Sequence, residues 1–573
     1  MRNDANDLLR RAISARLQGR VQHSEILTRE AILRAPNRTE SHFELGVVLA
    51  AQARYPEAIA SFREAIRLRG DVAEIHFRLA LALQSQGDFS GAEESHRAAL
   101  VLAPEFLFAK QGLAAALTEL GRESEAEAIL RGLLDQNPGD PQLLAGIEHD
   151  LALCLSRQRR QGEALQHFDR ALARGPDVSG AGADRAALLA SMHRNDDAVA
   201  AYRRVLIADP LNARAHRELN HLLYRTGDDE NFLRSYEEAL LRHPLQPFLL
   251  IDKADFLFRT EQFDAAEDCF GRAAQLHPSA LAPLNGLAAI AAQKADFAKA
   301  IDFHRKAISL VPDNIESWCS YIETLLRARE VEPAREAAER ALELRPNHQG
   351  AIAYLSLALR CAGDAREAWL NDYEKFVQLR ELSPPDGYAD MESFNRDLES
   401  VLGALHRDNR EFLDQSVRGG TQTLNDLFSA HYRLVDLLRV RIDEAVASYI
   451  AQLGEDGAHP LLGRKAREFS YAGSWSSRLS DCGFHTNHVH PQGWISSAYY
   501  VAVPDAVADA AAKQGWIKFG EPSFDAGFGD PIRRSVQPRP GTLVLFPSYM
   551  WHGTVPFHSQ QPRTTIAFDV VPR

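Results

Sequence analysis

The sequence has few cysteines for its 573 residues, and their spacing excludes two kinds of structure. No two of the five form a C-x-x-C pair, so we expect neither a disulfide framework nor a cysteine-based zinc site. We interpret all five as buried thiols in a reducing compartment. They lie far apart in the chain, at Cys154, Cys269, Cys319, Cys361 and Cys482.

An excess of basic residues and a long apolar run are also absent. Lysine and arginine total 65 against 78 acidic residues, and the net charge of −13 argues against a nucleic-acid-binding protein. The N-terminal stretch MRNDANDLLRRAISARL contains no apolar signal-peptide core, and no other run has the length of a membrane span. We therefore expect a soluble, cytoplasmic protein that binds neither nucleic acid nor membrane, and no particular oligomeric state is predicted.

The first two thirds of the chain contain an internal repeat of 34 residues. Prolines recur at this interval or twice it, except for one step of 38 residues between Pro138 and Pro176, and Gly70 stands at the one skipped position. An alanine recurs twelve residues before these positions, and a small residue recurs 24 before them. The prolines are Pro36, Pro104, Pro138, Pro176, Pro210, Pro244, Pro278, Pro312 and Pro346, and the alanines are Ala58, Ala92, Ala126, Ala164, Ala198, Ala266, Ala300 and Ala334.

Close packing of paired helices explains this pattern. Small residues at fixed positions let two antiparallel helices approach, and a proline ends the second helix of each pair. One pair cannot bury its apolar face alone, so successive pairs must stack into a solenoid. The pattern resembles the tetratricopeptide repeat, with about ten copies and a partial capping copy that ends near Trp369. The predicted solenoid covers residues 1–370.

Tetratricopeptide solenoids have a concave groove that holds peptides or partner proteins, and this resemblance implies such a partner here. The alternative is that the repeats only dimerise the chain or hold the other domain in place. Residues 371–466 are predicted to form a linker and two amphipathic supporting helices, at residues 391–407 and 423–453. The intervening segment QSVRGGTQT, residues 415–423, is interpreted as a surface turn, with a lid over a neighbouring site as the alternative.

From residue 467 onwards the sequence pattern is that of short β-strands separated by proline, glycine and aspartate turns. Eight strands are predicted in residues 467–573, among them HTNHVH, with SDCGF as one of the turns. This density favours a double-stranded β-helix, or jelly roll. The predicted fold class is thus multidomain, an all-α repeat solenoid followed by an all-β jelly roll with supporting helices.

Three histidines in this region are candidate metal ligands. His488 and His490 are two residues apart, so they share one face if the segment is a strand. His552 follows the strand GTLVLFP, and Arg563 opens the last strand with Thr565 on the same face. Other nearby side chains have structural interpretations. His485 and Asn487 are expected to point away from the ligand face, His558 to face solvent, and Trp475, Trp494, Trp516 and Trp551 to fill the core.

The ordered motifs HVHP, SSAYY, PSYMWHGT and RTT resemble those of Fe(II)- and 2-oxoglutarate-dependent oxygenases, in particular a bacterial branch of that superfamily. The resemblance covers residues 383–573. It implies that Fe(II) is held by His488 and His552, with His490 favoured as the third ligand, and that 2-oxoglutarate and O2 are cosubstrates. It also implies that Arg563 binds the distal carboxylate of 2-oxoglutarate, helped by Tyr500 or Tyr499 and by Thr565, with Tyr500 preferred.

One departure from the superfamily pattern leaves alternatives open. The usual acidic ligand belongs at position 490, where this chain has histidine. His490 either completes a three-histidine site, or lies behind a two-histidine site, or belongs to a site for zinc or nickel. The predicted function is a 2-oxoglutarate-dependent dioxygenase that acts on a protein or peptide held by the repeats. The alternatives are a non-catalytic scaffold with a cupin-like barrel and a small-molecule oxygenase.

Overall fold

The computed structural model describes residues 2–175, 180–408, 410–423 and 426–573. The predicted repeat proline Pro176 and the predicted helical residues Leu424 and Asn425 lie outside these ranges. The chain divides into two compact units, residues 1–208 and 209–573. In the described ranges, no helix is both long and apolar enough to cross a membrane.

The first unit consists of helices arranged in antiparallel pairs. In the part of this unit that the structure describes, the helices are α1 (Arg2–Leu17), α2 (Val21–Arg34), α3 (Thr39–Ala51), α4 (Tyr55–Leu68), α5 (Ala73–Gln86), α6 (Phe89–Leu102), α7 (Leu107–Glu119), α8 (Glu123–Asp135), α9 (Pro141–Arg157), α10 (Gln161–Arg174), α11 (Ala181–Ser191) and α12 (Asn195–Ala208).

Small residues and prolines have the roles that the repeat predicts. All eight of the recurring alanines have no exposed surface. A Cβ on Gly46 of α3 would lie 2.6 Å from the ring of Phe62 on α4, so only glycine permits this helix approach. Every repeat proline among the described residues follows the end of a second helix, as Pro36 follows α2. The 34-residue solenoid is therefore confirmed.

The second unit begins with further repeats of the same kind. Its repeat helices are α13 (Ala213–Thr226), α14 (Arg234–Arg242), α15 (Pro247–Arg259), α16 (Phe263–Leu276), α17 (Leu281–Gln293), α18 (Phe297–Leu310), α19 (Ile315–Arg327), α20 (Val331–Leu344), α21 (Gln349–Ala362) and α22 (Arg366–Leu370). The last two form the predicted partial repeat. A short helix α23 (Tyr373–Phe376) follows, and then the strand β1 (Gln378–Glu381).

The connecting region contains the two predicted helices, α24 (Met391–Gly403) and α25 (Arg433–Gln452), but the second begins ten residues later than predicted, after a 3-10 turn at Phe428–Ala430. The interpretation of residues 415–423 as a surface turn was wrong. Residues Val417–Gln422 form the strand β2, which pairs with the next strand in the chain, Phe469–His485. The glycines of this segment permit the pairing, because a Cβ on Gly420 would lie 2.5 Å from the carbonyl oxygen of Arg478.

The C-terminal region, residues 467–573, consists of antiparallel strands in two sheets and is called the barrel below. The strands are β3 (Phe469–His485), β4 (Ile495–Ala502), β5 (Ile517–Phe519), β6 (Arg534–Val536), β7 (Thr542–Pro547), β8 (His552–Thr554) and β9 (Arg563–Pro572). In the described residues, one sheet has the order β1-β7-β4-β9-β3-β2 and the other has the order β6-β5-β8. The predicted fold class, an α-helical solenoid followed by antiparallel β-structure with supporting helices, is confirmed.

Two details of the strand prediction were wrong. The predicted turn SDCGF belongs to the long strand β3, which continues through it by a bulge at Cys482, where φ is +60°. The predicted strand HTNHVH is reduced to one isolated bridge between His488 and His552. Seven of the eight predicted strands therefore occur in residues 467–573.

The last repeats and the barrel share one hydrophobic core. A continuous cluster of buried residues runs from Ile315 on α19 to Val570 on β9. Tyr354 on α21 packs against the rings of Phe524 and Trp551, with ring centroids 6.5 and 5.7 Å apart. The predicted boundary at residue 370 thus marks the end of the repeats but does not separate two cores.

Arg360 on α21 fastens the last full helix of the solenoid to a loop of the barrel. Its guanidinium donates hydrogen bonds to the carbonyl oxygens of Gly520, Asp530 and Pro531, at 2.9, 2.6 and 3.0 Å. It also stacks on the ring of Phe528, 3.8 Å from the centroid. Hydrogen bonds from a charged donor are stronger than neutral ones, so this contact is a substantial one.

We expect Arg360→Ala to destabilise the second unit by about 2 kcal/mol, because three carbonyl groups lose a charged donor. Denaturation followed by tryptophan fluorescence reports this unit alone, since all six tryptophans lie beyond residue 208. The matched control is Arg366→Ala, whose side chain is 52% exposed and pairs with Asp364 on the surface. Equal midpoints for the two variants would contradict the prediction.

Candidate metal centre

The candidate site is built on the face of the six-stranded sheet that lines a cavity. Along β9, Arg563, Thr565 and Ala567 line this cavity, and Asp569 continues the same alternating row. β9 lies between β4 and β3, and both neighbours pair with it in antiparallel register. The strand therefore presents a cation at one end of the row and a carboxylate at the other.

His488, His490 and His552 converge in this cavity. Each offers one ligand atom, and these atoms lie within 4.8 Å of one another. His488 and His552 face each other because their backbones exchange two hydrogen bonds, at 2.9 and 3.1 Å. The turn after His490 brings Gly493 against Ser548, where a Cβ would lie 2.2 Å from the hydroxyl oxygen. The structure thus brings together all three histidines that the sequence predicted.

The Nδ1 atoms of these histidines are all occupied by acceptors. Nδ1 of His488 lies 2.8 Å from the carbonyl oxygen of Thr486, and Nδ1 of His552 lies 2.9 Å from that of Met550. A carbonyl oxygen only accepts, so both nitrogens carry a proton. Each ring therefore turns the lone pair of Nε2 towards the common point.

This arrangement fits a divalent metal ion. Nε2 of His488 and Nε2 of His490 lie 3.1 Å apart, and two nitrogen ligands at about 2.1 Å and right angles around a metal would be about 3.0 Å apart. The lone pairs of two such nitrogens repel each other unless a shared proton or a cation lies between them. A proton can be shared by two nitrogens only, so the third nitrogen, from His552, favours the cation. Burial lowers the pKa of His488 to about 3 and that of His552 well below its usual value, so both are neutral, as metal ligands must be.

Asp569 supplies the carboxylate that position 490 lacks. Nδ1 of His490 lies 2.6 and 2.8 Å from its two oxygens, and Ser496 donates a hydrogen bond of 2.6 Å to one of them. A carboxylate behind a ligating imidazole fixes its orientation and raises its basicity. The sequence reasoning missed Asp569, although its place six residues after Arg563, on the same face of β9, was a usable signal.

Arg563 occupies the other end of the row, with only 2% of its surface exposed. Its Nε donates to the carbonyl oxygen of Gly515 at 3.1 Å, and its guanidinium lies 5.1 Å from the ring centroid of Tyr500. Among the described residues, no carboxylate lies within ion-pair distance of it. Thr565 stands opposite Tyr500 in the β4–β9 register.

The hydroxyl group of Tyr500 is buried beside the guanidinium of Arg563, which only donates, so the hydroxyl's own hydrogen has no acceptor among the described residues. Burial raises the pKa of Tyr500 to about 12, while Arg563 acts in the opposite direction, so the phenol is protonated and can donate. The expectation that Tyr499 contacts a cosubstrate was wrong. Its hydroxyl donates to Asn395 of α24 at 2.6 Å, because neighbouring residues of a strand face opposite sides.

Two expectations about neighbouring side chains were also wrong. His485 lines the cavity, with its ring centroid 6.2 Å from that of His488, because the chain leaves regular strand geometry after His485 and alternation fails. Trp475 lines the cavity beside His490, 5.6 Å away between ring centroids, and is not part of the core. Asn487 does point away, and donates to the carbonyl oxygen of Pro522.

The cavity has a volume of about 530 Å³ and contains both the histidine cluster and Arg563 in its walls. Strand residues form most of its walls, and two parts of the lining come from outside both the strands and the barrel. Residues 413–416, which precede β2, form one side, and Arg259 at the end of the repeat helix α15 lines the same space. Repeat and barrel residues therefore enclose the site together.

We expect Asp569→Asn to weaken metal binding about tenfold, because it keeps the shape of the side chain but removes the charge behind His490. Electron paramagnetic resonance of free Mn(II) measures the affinity, and thiolates bind this cation poorly. Asp505→Asn, on an exposed loop of the same domain, is the matched control. Unchanged affinity in Asp569→Asn would show that the carboxylate has no influence on the metal.

Comparisons with known proteins agree with both parts of this description. Residues 473–569 match the family model described as "Putative 2OG-Fe(II) oxygenase". Models of the tetratricopeptide repeat match residues 46–87, 83–147, 184–247 and 251–315. A comparison with curated proteins gave no match.

Several solved structures are similar to the chain, with low sequence identities and low TM-scores. Yeast Tom70 is 14% identical, with 65% of this chain and 98% of that chain covered and a TM-score of 0.31. A tetratricopeptide repeat protein from Parabacteroides merdae is 17% identical, covering 41% and 92%, with a TM-score of 0.37. YrrB, described as a TPR protein with an unusual peptide-binding site, is 18% identical, covering 31% and 91%, with a TM-score of 0.27. The family matches and the observed fold together show a chain with tetratricopeptide repeats, followed by a C-terminal domain that matches the model of a putative 2OG-Fe(II) oxygenase.

Proposed function

We propose that this protein is a 2-oxoglutarate- and Fe(II)-dependent hydroxylase whose substrate is a protein or peptide bound by the repeats. The observation that carries the proposal is a buried arginine without a carboxylate partner in the same cavity as three converging imidazoles. Burying a guanidinium without a charged partner costs several kcal/mol of folding free energy, so we expect an anionic ligand at this end of the cavity.

His488, His490 and His552 would hold Fe(II) through Nε2. When bound, the iron supplies the activation of O2, which in this superfamily couples decarboxylation of 2-oxoglutarate to oxidation of the substrate. Imidazole ligands suit Fe(II), and three of them leave positions open for the cosubstrates. Asp569 holds the ring of His490 in place, and the backbone carbonyls at 486 and 550 hold the other two rings.

Arg563 would bind the distal carboxylate of 2-oxoglutarate. Its planar fork presents two parallel donors, and its stem is held by the hydrogen bond to Gly515 and the contact with Tyr500. The protonated hydroxyl of Tyr500 lies beside Arg563, has a hydrogen free to donate, and would donate it to the same carboxylate. Thr565 lies on the same face of β9 and would donate a third hydrogen bond.

The walls of the cavity support a protein or peptide substrate. Leu413 lies in the apolar core of the repeats, so the segment that forms one wall is anchored on the solenoid. Two ion pairs hold it there, Arg410 with Asp229 at 2.7 Å and Arg225 with Asp408 at 3.4 Å. A substrate bound in the cavity would therefore lie beside the repeat residue Arg259 as well as the strands, and an extended peptide could contact both.

We expect Arg563→Ala to weaken 2-oxoglutarate binding about 100-fold, equivalent to about 3 kcal/mol, because a bidentate charged contact is lost. Anaerobic titration of the Fe(II)-loaded protein, followed by the visible charge-transfer band of the chelate, measures this affinity. Arg539→Ala, on an exposed turn, is the control. A band of normal affinity in Arg563→Ala would place the cosubstrate elsewhere, and metal binding without any band would favour a cupin-like scaffold.

We expect His552→Ala to abolish consumption of 2-oxoglutarate, because two imidazoles remain from the three that converge. With isotopically labelled O2, wild-type protein should add one labelled oxygen atom to peptides from a cell digest, whereas His552→Ala should add none. His431→Ala, with a side chain that is 81% exposed, is the matched control. Wild-type consumption by His552→Ala would refute the oxygenase, and labelled metabolites without labelled peptides would favour a small-molecule substrate.

A further inference from the structure

We propose that Asp481, Cys482 and His558 form a second cation site, on the surface of the barrel domain, for a divalent ion of the zinc class. Each of these residues offers one ligand atom, and the three atoms lie within 4.8 Å of one another. The site is separate from the histidine cluster in the cavity and shares no residue with it.

The three side chains already point at one another. Sγ of Cys482 lies 3.3 Å from Nδ1 of His558, and the same nitrogen lies 3.6 Å from a carboxylate oxygen of Asp481. Sγ of Cys482 also lies 3.7 Å from the second oxygen of Asp481. A thiol, an imidazole and a carboxylate thus surround one point that is open to solvent, and the expectation of a buried thiol was wrong for Cys482.

Backbone contacts hold each ligand in position. Cys482 adopts φ of +60°, which non-glycine residues rarely do, and its amide donates to the carbonyl oxygen of Phe557 at 2.8 Å. The amide of Ser559 donates to Asp481 at 2.9 Å, and the amide of His558 donates to the side chain of Gln514 at 2.8 Å. The β-bulge of β3 and the loop before β9 therefore both present their ligands without rearrangement. β-Bulges frequently re-aim a side chain for such a purpose.

The donor set selects the class of cation. Thiolate and imidazole together favour zinc, copper and nickel, whereas magnesium, calcium and manganese prefer oxygen ligands. A thiolate and a carboxylate carry two negative charges, which a divalent cation neutralises. Three protein ligands leave a fourth tetrahedral position for water or for a ligand from another molecule, unlike a closed structural site.

Cobalt(II) is the probe, because it occupies zinc sites and its bond to a thiolate gives an intense near-ultraviolet charge-transfer band. We expect reduced, metal-free wild-type protein to develop this band on titration with cobalt(II) and to lose it on addition of zinc. His552→Ala should keep the band, because the cavity site contains no thiol. The band therefore reports the second site even if the first one binds cobalt(II) as well.

The decisive comparison is between two cysteine variants. Cys482→Ser should lose the band completely, whereas Cys319→Ser should keep it, although Sγ of Cys319 also lies near a histidine nitrogen, 3.8 Å from Nδ1 of His348. Both exposed partners, Asp481 and His558, can be replaced without disturbing the core, and His558→Ala should weaken cobalt(II) binding. No band in the wild type, or an unchanged band in Cys482→Ser, would overturn the proposal.

Discussion

The alternation of side chains along β9 is the constraint on which the candidate site depends. Every second residue of this strand faces the cavity, so one short segment carries Arg563, Thr565 and the carboxylate of Asp569 in a single row. A shift of one residue would turn all of them to the opposite face. Pairing with β3 on one side and β4 on the other fixes the register, and the cation and the carboxylate therefore keep their places at opposite ends of the site.

A second consequence of the packing concerns the repeats. Because α19 to α21 share a core with the barrel strands, the final repeats are part of the fold that supports the cavity. The segment before β2 extends this connection, since Leu413 is buried among repeat residues while its neighbours line the cavity. Repeat architectures normally bury surface only between neighbours, so this arrangement gives the last repeats a second packing partner.

Which features could be predicted from the sequence depends on how far apart along the chain the interacting residues lie. The helix pairs were predictable because the spacing of Ala58 and its counterparts reflects contacts within one repeat. The histidine cluster was predictable from motifs only a few residues long. The pairing of His490 with Asp569 spans 79 residues, and the alternation along β9 places Asp569 on the face of the site without indicating which histidine it meets, because that depends on sheet register. His485 and β2 were misinterpreted for the same reason, because bulges and sheet pairing override strict alternation.

The position of the acidic group distinguishes this site electrostatically from one with a ligating carboxylate. The total charge is the same in both, since Asp569 contributes the negative charge that a carboxylate at position 490 would have contributed. Here it lies one imidazole ring further from the metal position, beyond Nδ1 of His490. Coulomb interactions weaken with distance, so a metal ion here would attract an anion more strongly than a metal ion bound directly by a carboxylate. With Arg563 at the other end, a dianion that spans the cavity would meet positive charge at each of its two carboxylates. 2-Oxoglutarate is a dianion of this kind, with one carboxylate at each end.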